Sequence, residues 1–119
     1  MNEESVNVAV LRGVCSRPAD VRVLPSEEVL AQLQVTTRVE GKAHSVPVAV
    51  WSPAAWIEQL DAGDEVVVIG RVNRRFFRAS GATASRVEVE ADTVVRARDG
   101  RRMATVRRRV AEALGALDD

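Results

Sequence analysis

Residues 46–72 read VPVAVWSPAAWIEQLDAGDEVVVIGRV, and this stretch decides the fold. Valines alternate with other residues from 46 to 50, which predicts a half-buried strand with Trp51 on the face opposite the valines. Ser52 and Pro53 predict the start of a helix, because a serine side chain can cap free N–H groups and proline fits the first helical turn. This half of the stretch is therefore expected to form a strand followed by a short helix.

The second half of the stretch predicts a return to β-structure. Gly63 is expected to end the helix, as glycine often does at helix C-termini. The β-branched run from 66 to 69 suits a strand, and Gly70 interrupts it where a barrel must bend. A helix between the third and fourth strands is typical of a small closed or nearly closed β-barrel.

Two further strands are predicted upstream. The first covers residues 6–23, starts with alternating valines and bends at Gly13. Gly13 fits either a β-bulge at a barrel corner or the close approach of a ligand. The second strand is expected over residues 29–39, and a tight turn at residues 40–42 joins it to the third.

The length and the distribution of charge limit the possible domain organisation and function. The 119 residues are enough for one domain with a hydrophobic core. Residues 1–95 carry 10 basic and 13 acidic side chains, whereas residues 96–119 carry 7 and 4. We therefore expect a mildly acidic domain in residues 1–95 and a basic C-terminal extension in residues 96–119. A nucleic-acid footprint on this domain would have to be a local basic groove.

Residue types also limit the compartment and the chemistry. Cys15 is the only cysteine, which excludes an intrachain disulfide and fits a reducing cytoplasm. The N-terminus lacks the apolar region of a signal peptide and no run is long enough to cross a bilayer, so we expect a soluble cytoplasmic protein without membrane contact. With a single histidine, no phosphate-binding glycine loop and no metal-ligand cluster, we expect no catalysis and no cofactor or metal.

Residues 7–38, NVAVLRGVCSRPADVRVLPSEEVLAQLQVTTR, contain an ordered set of motif residues. The set comprises a glycine, a proline with an arginine four residues on, and a Pro-Ser turn: Gly13, Pro18, Arg22, Pro25 and Ser26. Together with VPVAVW, the short helix and EVVVIGRV, this order resembles bacterial single-stranded DNA-binding proteins over roughly residues 6–95. The resemblance implies an all-β OB-fold, a five-stranded Greek-key barrel with a helix between strands three and four. It also implies single-stranded DNA as the partner and a homotetramer, with a homodimer as the alternative.

Sequence-independent binding of a single strand needs aromatic faces for bases and cations for phosphates. The chain has only two tryptophans, two phenylalanines and no tyrosine. The resemblance implies stacking at Trp51 and Phe77, whereas Trp56 is expected to pack in the core. The predicted nucleic-acid contacts are Trp51, Phe76, Phe77, Arg74, Arg75 and Arg78, with Arg12, Arg22, Arg38, Lys42, Arg71 and Arg86 as secondary phosphate contacts.

Some residues depart from the family pattern. Ser45 stands where another stacking residue is common, and Glu27 replaces the glycine expected after Pro25-Ser26. Fewer stacking residues imply weaker binding, at about 1–3 kcal/mol per stacked base. The basic run at residues 73–78 also fits a solvated hairpin with charged edges, and residues 79–85 are expected to be small and flexible with Gly81 at the hairpin tip.

The end of the chain departs furthest from the family, which has a flexible linker and an acidic tip there. Apolar residues recur at three- and four-residue steps over residues 101–117, and this predicts a C-terminal α-helix with arginines at 107–109. The helix fits docking on its own barrel or on a neighbouring subunit. It also fits a basic arm that supplements a DNA path.

Two functions remain open. In the first, the chain binds single-stranded DNA without sequence preference in replication, repair or recombination, in the bacterial cytoplasm at the nucleoid. In the second, it is an OB-fold oligomerising or adaptor module with weak or no nucleic-acid binding, and its C-terminal helix engages a protein partner. The mild acidity of residues 1–95 and the scarcity of aromatic residues favour the second.

Overall fold

The computed structural model describes residues 5–118. Its strands are β1 (Ala9–Cys15), β2 (Asp20–Val23), β3 (Val29–Val39), β4 (Lys42–Trp51), β5 (Glu65–Ala79) and β6 (Ala82–Arg96). Helix α1 (Ala55–Glu58) lies between β4 and β5, helix α2 (Gly100–Gly115) follows β6, and a short 3-10 helix covers Ala116–Asp118. The predicted first strand begins at Ala9 and is broken around Pro18, which has no N–H to donate to a neighbouring strand.

The strands close into a barrel. Their order is β1-β5-β6-β4-β3-β2, and β1 closes the barrel by pairing with β3 at Val14–Thr36 and Cys15–Val35. β4 and β6 pair in parallel, and the other neighbours are antiparallel. With β1 and β2 as two parts of one strand, this is a five-stranded barrel with a helix between the third and fourth strands. The predicted OB-fold with a C-terminal helix is confirmed.

Alternate residues of the long strands fill the barrel. Val35 of β3, Val48 of β4, and Val66 and Val68 of β5 are each at most 1% exposed. Trp56 of α1 is half-buried and packs against this core, as predicted. Each buried valine stabilises the fold by about 1.5–3 kcal/mol relative to an exposed one.

Two glycines allow strands to cross closely. A Cβ atom on Gly13 would lie less than 3.0 Å from the carbonyl oxygen of Thr36, and a Cβ on Gly70 would lie equally close to that of Glu90. Gly70 also marks a shift in the register of β5 with β6, which is a β-bulge. Of the two explanations for Gly13, the structure therefore supports the barrel corner.

The predicted start of the first helix is wrong. Helix α1 begins at Ala55, without a side-chain cap. Ser52 instead has φ 50°, and its N–H donates to the carbonyl of Val29. Pairing with the neighbouring strand thus takes up the backbone at Ser52 before the helix can begin.

Two hairpins close with two-residue turns, Glu40-Gly41 and Ser80-Gly81. Both residues of each turn have positive φ, which is typical of type I′ turns. The hairpin tip predicted at Gly81 is confirmed, and β6 begins directly after it at Ala82.

The turn between β2 and β3 contains a strained residue. Glu27, which stands where the family has glycine, adopts φ 71°. This left-handed conformation favours glycine because other side chains clash with the backbone there. Two backbone hydrogen bonds hold the turn: the Glu27 N–H donates to the Leu24 carbonyl, and the Leu24 N–H donates to the Glu28 carbonyl.

The helix predicted in residues 101–117 is confirmed as α2. The Asp99 carboxylate caps it by accepting from the N–H of Arg102. Val106 is 3% exposed and packs with residues of β5 and β6, including Val67, Ile69 and Val95. The helix thus docks on its own barrel.

Candidate nucleic-acid interface

The β5–β6 hairpin sorts its side chains onto two faces, because successive residues of a strand point in opposite directions. Arg75 and Phe77 of β5 share one face with Arg86 of β6, which is the direct partner of Arg75. Phe76 lies on the other face and is 67% exposed, whereas Phe77 is half-buried. The two adjacent phenylalanines are therefore separated.

The face with Phe77 forms one wall of a cavity of about 300 Å³, here termed the hairpin groove. Strand β3 and the end of β2 supply the other wall. The groove is lined by four arginines, one aromatic ring, two leucines and an amide: Arg22, Arg75, Arg78, Arg86, Phe77, Leu24, Leu30 and Gln32. It thus combines an aromatic and apolar surface with cations, as base stacking and phosphate contact require.

A buried polar network holds the hairpin against the barrel. Glu88 of β6 is 3% exposed and accepts two hydrogen bonds from Arg75, at 2.9 and 3.3 Å. The amide oxygen of Gln32, facing the same guanidinium groups, accepts from Arg75 at 2.9 Å and from Arg86 at 3.3 Å. Charge-assisted bonds of this kind are the strong ones in proteins. Arg75 is thereby held in place, and Glu88 neutralises its charge.

The same arginine orients the aromatic ring of the groove. The guanidinium carbon of Arg75 lies 5.5 Å from the centroid of the Phe77 ring. This is within the range of a cation–π contact, and it covers one face of the ring. A base that stacks on Phe77 would therefore have to use the other face of the ring.

Trp51 lies beside the hairpin groove. It ends β4 and is the direct cross-strand partner of Leu30, which lines the groove. Directly opposed residues of antiparallel strands share a face and contact one another. Trp51 is half-buried there, so it adds a second aromatic surface at the edge of the groove.

The hairpin groove carries a net positive charge. Beyond the buried pair described above, Arg22 pairs with Asp20 at 3.2 Å in an exposed contact that contributes at most about 1 kcal/mol. Across residues 5–118, no acidic side chain forms an ion pair with Arg78 or Arg86. Arg78 donates to the Gly81 carbonyl at 3.3 Å and Arg86 donates to Gln32 at 3.3 Å, so both are bound to neutral groups and keep their charge for a phosphate.

Two predicted phosphate contacts line a different cavity. Arg12 and Arg38 border a space of about 620 Å³ between β1 and β3. Arg12 also pairs there with Glu65 at 3.2 Å. No aromatic ring belongs to the lining that residues 5–118 provide, so this cavity offers phosphate contacts without stacking.

The remaining predicted contacts lie outside both cavities. Arg71 pairs at 3.2 Å with an aspartate of β6, Lys42 is exposed at the β3–β4 turn, and Arg74 donates to Ser85 on the face opposite the groove. Of the predicted residues, the structure brings together Arg22, Arg75, Phe77, Arg78 and Arg86, with Trp51 beside them.

Sequence reasoning missed four residues of this site, among them Leu24, which follows β2 and lines the groove. Leu30 and Gln32 alternate with the residues of β3 that fill the barrel, and that alternation indicates the opposite face of the strand, where Leu30 is 1% exposed. No local signal identifies Glu88, because its contact with Arg75 depends on the register of β5 with β6.

Three further observations concern a nucleophilic thiol, a metal site and a membrane span. Burial, with a contribution from nearby Asp64, raises the pKa of the Cys15 thiol, and a protonated thiol is a poor nucleophile. Within the described range there is no group of three or more His, Cys, Asp or Glu residues placed to hold a metal ion. Nor does this part of the chain include a helix with the length and apolar character needed to span a bilayer.

Comparison with known proteins identifies solved structures that are similar in fold and sequence. The wild-type single-stranded DNA binding protein from Thermus aquaticus matches with a TM-score of 0.64 and 27% identity, over 80% of this chain and 42% of that chain. A deletion mutant of the same protein matches with a TM-score of 0.64 and 27% identity, over 76% of this chain and 40% of that one. The present chain thus spans about two fifths of the length of these proteins. No family model and no curated protein sequence matches it.

Proposed function

We propose, from the confirmed likeness to single-stranded DNA-binding proteins, that this chain binds single-stranded DNA without sequence preference in the hairpin groove. The likeness rests on the common fold and on 27% sequence identity. The observation that carries the proposal is that four arginines and one half-buried aromatic ring line the same groove of about 300 Å³.

In the proposed complex, a base stacks on the open face of the Phe77 ring. Arg75 holds the opposite face, while Arg78 and Arg86 contact the phosphates on either side. Trp51 supplies a second stacking surface at the edge of the groove. Stacking does not depend on which base is present, because every base has an aromatic face, so binding would show no sequence preference.

The number of available cations sets the expected salt dependence. Arg78, Arg86 and the weakly paired Arg22 make three phosphate contacts possible. Each contact with a single strand contributes about −0.7 to the slope of log affinity against log salt. A slope of about −2 is therefore expected for a short oligonucleotide.

Titration with oligo(dT) tests the proposal, with tryptophan fluorescence and the anisotropy of a labelled strand as readouts. Phe77→Ala is expected to weaken binding by about 5- to 150-fold, the equivalent of one stacked base. Phe76→Ala is the matched control, since it removes the same side chain one residue away on the opposite face, and it should change affinity by less than about threefold. Absence of binding at low salt, or equal losses in both variants, would overturn the proposal.

The likeness also supports three finer proposals. The chain would act in replication, repair or recombination of DNA, in the bacterial cytoplasm at the nucleoid. It would do so as a homotetramer or homodimer, and light scattering of the purified chain would measure its mass. A monomer at micromolar concentration would contradict that part of the proposal.

One observation favours the second function, an oligomerising or adaptor module. Four large apolar side chains of β1 and the C-terminal helical region are between 40% and 62% exposed, namely Val10, Val14, Leu114 and Leu117. Exposed apolar surface of this kind often marks a contact with another protein. The titration above separates the two functions, because an adaptor would leave oligo(dT) unbound at low salt.

A further inference from the structure

A second group of arginines lies at the end of the barrel that α1 covers. Arg96 at the end of β6 and Arg102 of α2 line a cavity of about 190 Å³ together with Trp56 and Asp99. Arg96 also lines a cavity of about 180 Å³ with Arg98, Asp64 and Glu65, and Glu65 pairs with Arg12 at 3.2 Å. We term the surface formed by Trp56, Arg96, Arg98 and Arg102 the Trp56 cleft.

The arginines of the Trp56 cleft are held loosely by their acidic neighbours. Arg96 lies 3.8 Å from Asp64 and Arg102 lies 3.7 Å from Asp99, both beyond hydrogen-bond distance. By contrast, the Arg75–Glu88 pair of the hairpin groove has a separation of 2.9 Å. Asp64, Glu65 and Asp99 balance the formal charge of the three arginines, so a phosphate would bind by replacing the long Arg96–Asp64 and Arg102–Asp99 contacts with shorter hydrogen bonds.

Trp56 orients the guanidinium group of Arg96. The guanidinium carbon of Arg96 lies 5.1 Å from the centroid of the indole, within the range of a cation–π contact. A planar guanidinium stacked on a ring keeps its N–H donors at its edge, where they can bind an anion. Trp56 is thus a positioning residue for Arg96, and its core packing is compatible with that role.

The Trp56 cleft lies within reach of the hairpin groove. Trp51 stands at the edge of the groove, and Trp56 is five positions further along the chain, with four residues between them. Their Cα atoms are therefore at most about 18 Å apart. A single strand leaving the groove at Trp51 can pass from one set of arginines to the other.

We propose that the Trp56 cleft is a second phosphate-binding subsite for the same single strand. This inference rests on the proposed function, since the strand must first occupy the hairpin groove. Arg96, Arg98 and Arg102 contact neighbouring phosphates, and α2 contributes by holding Arg102 at the mouth of the cleft.

The test compares oligo(dT) of about 5 and about 16 nucleotides, the ends of the range that one OB-fold binds. Arg98→Ala with Arg102→Ala is expected to weaken binding of the long strand about tenfold and to reduce its salt slope by about 1.4, while the short strand is unaffected. Arg101→Ala with Arg108→Ala removes the same charge from exposed positions of the same region that line neither cavity, and serves as the matched control.

The outcomes separate this inference from the function on which it rests. If the wild-type chain binds neither strand, the proposed function fails and the subsite fails with it. If the wild type binds but the test pair loses no more than the control pair on the long strand, the subsite is refuted and the groove stands. Equal losses on both strands would also refute it, because the arginines would then act on the groove itself.

Fluorescence gives an independent readout. Trp51→Phe keeps a stacking ring and leaves Trp56 as the only tryptophan, because the chain has two. The long strand is expected to change the emission of Trp56 and the short strand to leave it unchanged. Binding of the long strand, shown by anisotropy, without any change in emission would contradict the subsite.

Discussion

Replacing Glu88 with glutamine is expected to lower the stability of the fold and to raise its affinity for a single strand. The Glu88 carboxylate is 3% exposed and accepts two hydrogen bonds from Arg75. Breaking a buried ion pair costs about 3–5 kcal/mol. The Arg75 side chain is 20% exposed, so water can replace part of the lost contact. We expect a loss of about 2–3 kcal/mol in the free energy of unfolding, or about 10 °C in Tm.

The gain in affinity follows from the same pair. Glu88 neutralises Arg75 in the wild-type chain, and a neutral glutamine leaves the guanidinium charge to a phosphate. One added contact should steepen the salt slope by about 0.7. At low salt the affinity for oligo(dT) should rise by up to about fivefold.

Thermal unfolding and oligo(dT) anisotropy measure the two effects on the same samples. Glu90→Gln is the control, because Glu90 lies two residues away on β6, accepts a hydrogen bond from Asn73 at 3.3 Å and forms no ion pair with any residue from 5 to 118. It should leave Tm within about 2 °C of the wild type. The reasoning is refuted if Glu88→Gln is as stable as this control, or if it loses stability without gaining affinity.

Two further predictions concern stability alone and are measured by urea denaturation. Glu27→Gly is expected to raise the free energy of unfolding by about 0.5–1 kcal/mol, because relief of the left-handed backbone exceeds the entropic cost of glycine; a loss of stability would show that the turn is not strained. Val106→Ala should cost about 2 kcal/mol, whereas Leu117→Ala, at a side chain 62% exposed, should cost less than about 0.5 kcal/mol. If Val106→Ala and Leu117→Ala lowered the free energy of unfolding equally, the docking of α2 on the barrel would be contradicted.

Alternation of side chains was enough to predict the barrel, but not where its first strand begins. The prediction started the strand at Val6, three residues too early. There the side chain of Asn7 replaces backbone pairing: its amide donates to the Val72 carbonyl and accepts from the Val72 N–H, both at 2.9 Å. A side chain that makes the hydrogen bonds of a neighbouring strand does not change the hydrophobic pattern of the sequence.

Local signals failed where a neighbouring strand competed for the same backbone. Ser52 has the residue type and the following proline of a helix cap, yet it pairs with β3 and has φ 50°, outside the extended conformation of an N-cap residue. Competition of this kind depends on the register of β3 with β4, which cannot be read from residues 52 and 53 alone.

The site was only partly predictable for a similar reason. Adjacent residues of a strand must face opposite sides, so the sequence separates Phe76 from Phe77. Which of the two faces the groove depends on the β-bulge at Gly70 and on the pairing of β5 with β6. Charge alone likewise selected Arg12 and Arg38, which the closed barrel places in another cavity.

The contacts among Gln32, Arg75 and Glu88 are complete before any ligand arrives. Immobilising a long side chain such as arginine costs about 1.5–2 kcal/mol of rotamer entropy. In this chain that loss occurs during folding, so association does not have to immobilise Arg75 or the Phe77 ring a second time. The groove is preorganised, and a chain with only four aromatic residues can retain more of the free energy of each contact as affinity.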